Sequence, residues 1–86
     1  MPKSESVDLR GWLLGLLTRL APGFAGAIDD TTPLAEDGLG LDSVALIELV
    51  SAIEEHLGVR VHEDEVTLEH FGTVGRLLGF LEARRT

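Results

Sequence analysis

The 86-residue chain contains no cysteine and no tyrosine, one tryptophan, one methionine and three prolines. Without cysteine there can be no disulfide and no thiolate metal ligand, so apolar packing has to hold the fold together. Basic residues are also scarce: seven Lys/Arg stand against fifteen Asp/Glu, a formal net charge of −8. Nucleic acid binding needs clustered cations to displace counterions, and this balance excludes it. No apolar run approaches the length of a membrane span. Nor does the chain open with the basic segment, apolar stretch and cleavage site of a secretory signal. These absences predict a cytoplasmic protein with neither a membrane nor a nucleic acid as partner.

Apolar residues are plentiful, at 44% of the chain, and mostly aliphatic. At this length they suit one small domain over residues 1–86, with its core over about residues 7–83. Charge is unevenly spread. Residues 36–70 hold ten Asp/Glu against Arg60 alone, whereas Arg76, Arg84 and Arg85 lie near the end against Glu82. An acidic middle attracts enzymes with basic docking patches and speeds their encounter.

Residues 1–6 read as a frayed start. From Val7 to Leu20, Leu9, Leu13, Leu16, Leu17 and Leu20 recur on one helical face. Gly11 and Gly15 weaken that helix and are read as permitting close packing, and Pro22-Gly23 ends it. Residues 22–42 form a long connection containing Asp29-Asp30-Thr31-Thr32-Pro33 and Glu36-Asp37-Gly38. Ile28, Leu34, Leu39 and Leu41 are spaced through it as anchors, which predicts a packed loop, a kind that is often functional. A second helix is predicted over Ser43–Leu57 with Gly58 as C-cap, followed by an extended Val59-Arg60-Val61. Glu63 to Val66 makes a brief helical turn, and Thr67 to Phe71 leads into the last element. Thr73 caps a final helix whose Val74, Leu77, Leu78 and Leu81 repeat as i, i+3, i+4, i+7. The fold class is therefore all-α, three main helices plus one short helix.

The chemistry concentrates at Gly38-Leu39-Gly40-Leu41-Asp42-Ser43-Val44, where a glycine-rich loop runs into the second helix. A phosphate on Ser43 would meet unpaired N–H groups and the positive end of the helix dipole. Serine is also a favoured N-cap, which is the purely structural alternative for Ser43. Along the helix, Leu46, Leu49, Val50, Ile53 and Leu57 share one face and predict the core side. Val44, Ile47, Glu48, Ser51 and Glu55 share the opposite face. Two aliphatic side chains ringed by carboxylates beside a modifiable serine form a candidate docking surface, with an apolar anchor and acids for steering.

Other chemistries find no support in the residues. His56, His62 and His70 lack the i, i+4 spacing of a helical metal site and are read as structural. Glu54-Glu55 and Glu63-Asp64-Glu65 are read as a solvated acidic face, and Trp12 and Phe80 as helix-packing residues. A calcium loop over Asp29–Gly40 fails, because Leu34 and Gly40 occupy the positions that require glycine and glutamate. No catalytic residue and no metal ligand is predicted.

Gly40-Leu41-Asp42-Ser43-Val44 resembles the attachment motif of acyl carrier proteins and of the peptidyl carrier domains of nonribosomal synthetases. The likeness extends through Leu46, Ile47, Glu48, Leu49, Glu54-Glu55 and Gly58-Val59-Arg60-Val61 to Phe71-Gly72-Thr73-Val74, nearly the whole chain. It implies an acyl-carrier-like four-helix bundle, right-handed and monomeric. It also implies that Ser43 receives a 4′-phosphopantetheine arm from coenzyme A through a phosphopantetheinyl transferase. Asp42 would help bind metal or orient that enzyme, the alternative being an N-cap. The partners implied are an adenylating enzyme or acyltransferase that loads the arm, then ketosynthase, condensation or tailoring enzymes. Ala45, Ser51 and His62 depart from residues common in fatty-acid carriers (an acid, Met and Pro), which favours a freestanding carrier of polyketide or nonribosomal-peptide metabolism. The alternatives are a carrier of fatty-acid synthesis, or an unmodified acidic module that only binds proteins.

Overall fold

The computed structural model describes residues 2–24, 26–35 and 37–84, with the side chains of the first helix described from Leu9 onward. Four helices follow one another: α1 (Pro2–Leu20), α2 (Ser43–Leu57), α3 (Leu68–Phe71) and α4 (Val74–Arg84). A 3₁₀ turn, Glu63–Glu65, precedes α3, and no strand occurs among the described residues. The all-α, four-helix expectation is met, but the short helix is Leu68–Phe71, the segment expected only to lead into the last element, while Glu63–Glu65 makes just a 3₁₀ turn. The first helix begins at Pro2, which corrects the frayed start expected for residues 2–6, and Met1 of that expectation lies outside the described residues. Proline suits a first helical position, since its missing N–H has no intrahelical partner to lose.

The aliphatic stripes meet in one core. Leu9, Leu13, Leu16 and Leu17 of α1 are buried, as are Leu49 and Ile53 of α2 and Val74, Leu77, Leu78 and Leu81 of α4. Leu46, Val50 and Leu57 sit half-buried at the margin of that core. Helix α1 packs on α2, and α3 on α4. Gly11 and Gly15, by contrast, face outward, and a Cβ at either would touch nothing. They do not allow close packing; the expectation failed because both fall on the face away from the leucine stripe.

The long connection is a packed loop, as its spaced aliphatics predicted. Leu34, Leu39 and Leu41 are buried and Ile28 half-buried, while Glu36 lies outside the described residues. Backbone bonds strap the loop to the start of α4. Leu34 donates to the Gly72 carbonyl (3.2 Å), Val74 to Thr32 (3.0 Å) and Gly75 to Asp30 (2.8 Å). The loop carbonyls thus satisfy N–H groups that a helix start leaves open, and the Thr73 hydroxyl accepts from Arg76 N–H at 3.2 Å as the cap. A second fastening joins α1: Arg10 donates to both oxygens of Asp30, at 2.7 and 3.1 Å. Glycine is required at position 38, where a Cβ would overlap the Pro33 carbonyl. With the loop held at both flanks, the residues just before α2 have little freedom.

Candidate functional site

Asp42, and not Ser43, is the N-cap of α2. Its backbone is extended, its carboxylate accepts from Ala45 N–H at 2.8 Å, and its carbonyl accepts from Leu46 N–H at 2.9 Å. The capping alternative for Ser43 is thereby overturned: the aspartate, a stronger acceptor one residue earlier, already fills that role. Ser43 is the first helical residue, exposed, and its hydroxyl makes no hydrogen bond among the described residues. The N–H groups of Ser43 and Val44 likewise have no intrahelical acceptor, as the first turn of any helix requires. A phosphodiester on the Ser43 oxygen would lie beside these donors at the positive end of a 15-residue helix. Immediately upstream, Gly40 adopts φ +73° between the buried Leu39 and Leu41, so the chain turns sharply and presents the serine outward.

The five residues placed on the outer face of α2 are all there. Val44 and Ile47 are 64% and 65% exposed, and Glu48, Ser51 and Glu55 are exposed beside them. The sequence reading missed a third large exposed aliphatic, Leu68, at 79%. Its segment is a single helical turn, too short for periodicity to assign a face.

Two apolar depressions flank α2. One, of about 430 Å³, is lined by Ser43, Leu46, Ile47, Val50, Ser51, Val61, Glu63 and Val66. The other, of about 200 Å³, runs past Leu34, Ala35, Leu41, Leu46, Val66, Thr67, Leu68 and Phe71. Leu46 and Val66 form the ridge common to both. Ser43 borders the larger, whose other lining is mostly apolar, so serine, free donors and groove fit a phosphopantetheine group together.

Not every carboxylate belongs to a solvated face. Glu54 is half-buried and accepts from Val61 N–H at 2.8 Å, which ties the segment after α2 back onto that helix. Glu65 accepts from His62 N–H at 2.9 Å and is ion-paired with Arg84, whose guanidinium also donates to the Arg60 carbonyl at 2.6 Å. Adjacent acids in sequence point in different directions on a tight turn, which is why one description could not cover Glu63, Asp64 and Glu65. Two of the three histidines have ring contacts within the fold: His56 stacks on Trp12 with ring centres 4.1 Å apart, and His70 on Phe80 at 4.6 Å. Among the described residues no group of three potential ligands gathers for a metal ion, and no helix is long and apolar enough to cross a membrane.

Comparison with known proteins agrees with this geometry. The family profile described as "Phosphopantetheine attachment site" matches residues 13–81. An acyl carrier protein of Saccharopolyspora erythraea is 44% identical over 54 residues, covering 63% of this chain and 54% of that protein. The acyl carrier protein AsbD of Bacillus anthracis is 42% identical over 55 residues, covering 64% of this chain and 59% of that protein. The chain thus spans little more than half the length of these relatives. Among solved structures, a chain of the crystal structure of an FAD-dependent dehydrogenase superposes with a TM-score of 0.66 and 34% identity, over 79% of this chain and 94% of that one. With the profile matching most of its length, the chain belongs to the phosphopantetheine-binding acyl and peptidyl carrier family, whose members are carriers rather than enzymes and whose prosthetic group is 4′-phosphopantetheine.

Proposed function

We propose that Ser43 is the attachment residue and that residues 1–86 form one monomeric carrier domain that acts in the cytoplasm. The observation that carries this reading is the division of labour at the start of α2: Asp42 caps the helix, leaving the exposed Ser43 hydroxyl free for modification. A phosphopantetheinyl transferase forms the phosphodiester at the Ser43 oxygen from coenzyme A. The arm supplies the thiol that this cysteine-free chain lacks, and with it a thioester that keeps cargo activated. Tethering then holds the cargo at high effective concentration for successive enzymes. Ser43 needs no activation by its own neighbours, since the transferase brings base and metal, and Asp42 orients that enzyme in addition to capping.

Val44 and Ile47 serve as apolar anchors for partners, with Glu48 and Glu55 steering their basic patches and Ser51 at the margin. The partners are a loading enzyme, adenylating or acyltransferring, and then ketosynthase, condensation or tailoring enzymes of polyketide or nonribosomal-peptide metabolism. Ala45, Ser51 and His62 support that pathway class over fatty-acid synthesis. Similarity to a chain found with an FAD-dependent dehydrogenase adds a flavin-dependent dehydrogenase to the candidate tailoring partners.

The test is intact mass before and after incubation with coenzyme A, magnesium and a broad-specificity transferase, alongside Ser43→Ala. One added phosphopantetheine, absent from the variant, is expected. No addition to folded protein, with the transferase active on a control carrier, would return the chain to the class of unmodified interaction modules.

A further inference from the structure

The stretch between α2 and α3 is tied to the longer helices through side chains alone. Among the described residues, 59–67 make no backbone–backbone hydrogen bond to α1, α2 or α4. Glu65 donates to the His62 carbonyl, Val66 to Glu63 and Thr67 to Glu65, all inside the stretch. Gly58, left-handed at φ +68°, turns the chain off the end of α2. Packing holds the stretch only in part: Val61 is buried and Val59 and Val66 are half-buried, while His62, Glu63, Asp64 and Thr67 are exposed. Yet this connector supplies Val61, Glu63 and Val66 to the larger depression beside α2, and Val66 and Thr67 to the smaller. Both walls therefore stand where the connector is tied.

Two polar ties hold it. From α2, Glu54 accepts from Val61 N–H at 2.8 Å. From the last turn of α4, Arg84 reaches two points at once. Its guanidinium donates to the Arg60 carbonyl at 2.6 Å and to the Glu65 carboxylate, whose other oxygen accepts from His62 N–H at 2.9 Å. A planar guanidinium fork can span both acceptors, whereas an ammonium is a point charge on a flexible stem. The Phe80 ring lies 5.0 Å from the Arg84 guanidinium and also stacks on His70, so the latch is backed by α4 and α3. This pair is also better shielded than the other ion pair of the fold. Its side chains are 30% and 23% exposed, against 50% and 54% for Arg10 and Asp30, and shielded pairs are screened less. Arg84 is no part of the buried aliphatic core, so removing its charge leaves that core complete.

We propose that Arg84 is the latch of this connector: from α4 it holds residues 60–65 closed and so positions the walls of both depressions, and its release opens the connector while the helices stay packed. A segment with few backbone bonds to its surroundings can open locally, at a fraction of the cost of global unfolding. The latch belongs to the unmodified fold and does not rest on attachment at Ser43.

The test is residue-resolved amide hydrogen exchange on the full chain without an arm. Val61, Glu65, Val66 and Thr67 report on the connector, and Leu49, Ile53, Leu77 and Leu81 on the bundle. In Arg84→Gln the connector amides should exchange about 10-fold faster, the scale of one charge-assisted hydrogen bond, with the bundle amides unchanged. Arg84→Lys keeps the charge without the fork and should give a smaller acceleration of the same four amides. Arg76→Gln, at an exposed position of the same helix, should move neither set. Unchanged connector amides in Arg84→Gln would overturn the latch. So would connector and bundle amides accelerating by the same factor in both Arg84 variants, since Arg84 would then support the fold as a whole and not one segment of it.

Discussion

Two adjacent residues at the start of α2 are expected to respond in opposite ways to removal of their side chains. Asp42 accepts a hydrogen bond from Ala45 N–H at 2.8 Å, whereas the Ser43 hydroxyl bonds to nothing among the described residues. Asp42→Ala therefore strands a first-turn donor and should cost about 1 kcal/mol, within the roughly 0.5–2 kcal/mol measured for cap removal. In a domain of this size that lowers Tm by about 4–8 °C. Ser43→Ala removes an exposed group from a helical position, where Ala has the better propensity by a few tenths of a kcal/mol. Its Tm should be unchanged or slightly raised, while its capacity to accept the arm disappears. Asp42→Asn retains the cap, as Asn serves as well as Asp there. It isolates the charge: unchanged Tm with slowed arm transfer would assign Asp42 a part in orienting the transferase. Thermal unfolding followed by circular dichroism and intact mass on the same samples complete the set. If Ser43→Ala were destabilised as much as Asp42→Ala, the serine would be a cap after all, and the division of labour behind the attachment assignment would be wrong.

Other consequences are independent of that pair. Gly11→Ala and Gly15→Ala should each stabilise the protein by about 0.5–1 kcal/mol, because a Cβ there meets only solvent; a loss on denaturant unfolding would mean that the outer face of α1 is not open. Ile53→Val, in a fully buried position, should cost about 0.5–1.5 kcal/mol without loss of folding, seen as a lowered denaturant midpoint at constant slope. Glu48→Lys should slow encounter with the transferase or loading enzyme more at low salt than at high; an effect independent of ionic strength would exclude steering through that residue. The Arg10 hydrogen bonds hold the Asp30 carboxyl below its ordinary pKa, and the Thr31 hydroxyl does the same for Asp29. Both folded values lie below the unfolded ones, about 4, so this stabilisation is complete above that pH and fades as pH falls through the lowered values. Arg10→Ala should flatten the loss of Tm on acidification from pH 6 to pH 3.

What was legible in the sequence was whatever local periodicity and local chemistry control. The leucine stripe of α1, the two faces of α2 and the i, i+3, i+4, i+7 repeat of α4 all emerged as read, because burial of an apolar stripe dominates helix placement. The attachment motif was equally visible, since a glycine turn, an aspartate and a serine before a helix are contiguous. Contacts that join distant residues were not. Which of Asp42 and Ser43 caps the helix depends on where the loop ends, and that is set by the straps from Asp30, Thr32 and Leu34 to Gly72, Val74 and Gly75. The separate fates of Glu63 and Glu65 depend on Arg84, which reaches across from α4. Leu68 is exposed and Phe71 buried although one helical turn separates them, a difference that only the packing of α3 on α4 sets. The sequence alone determined the helices, their buried faces and the serine, because each is encoded within a few turns of chain. Only the tertiary structure decided that the serine hydroxyl bonds to nothing among the described residues, that it borders a groove beside α2, and that Arg84 holds Glu65, because each follows from long-range packing and pairing that no local pattern records.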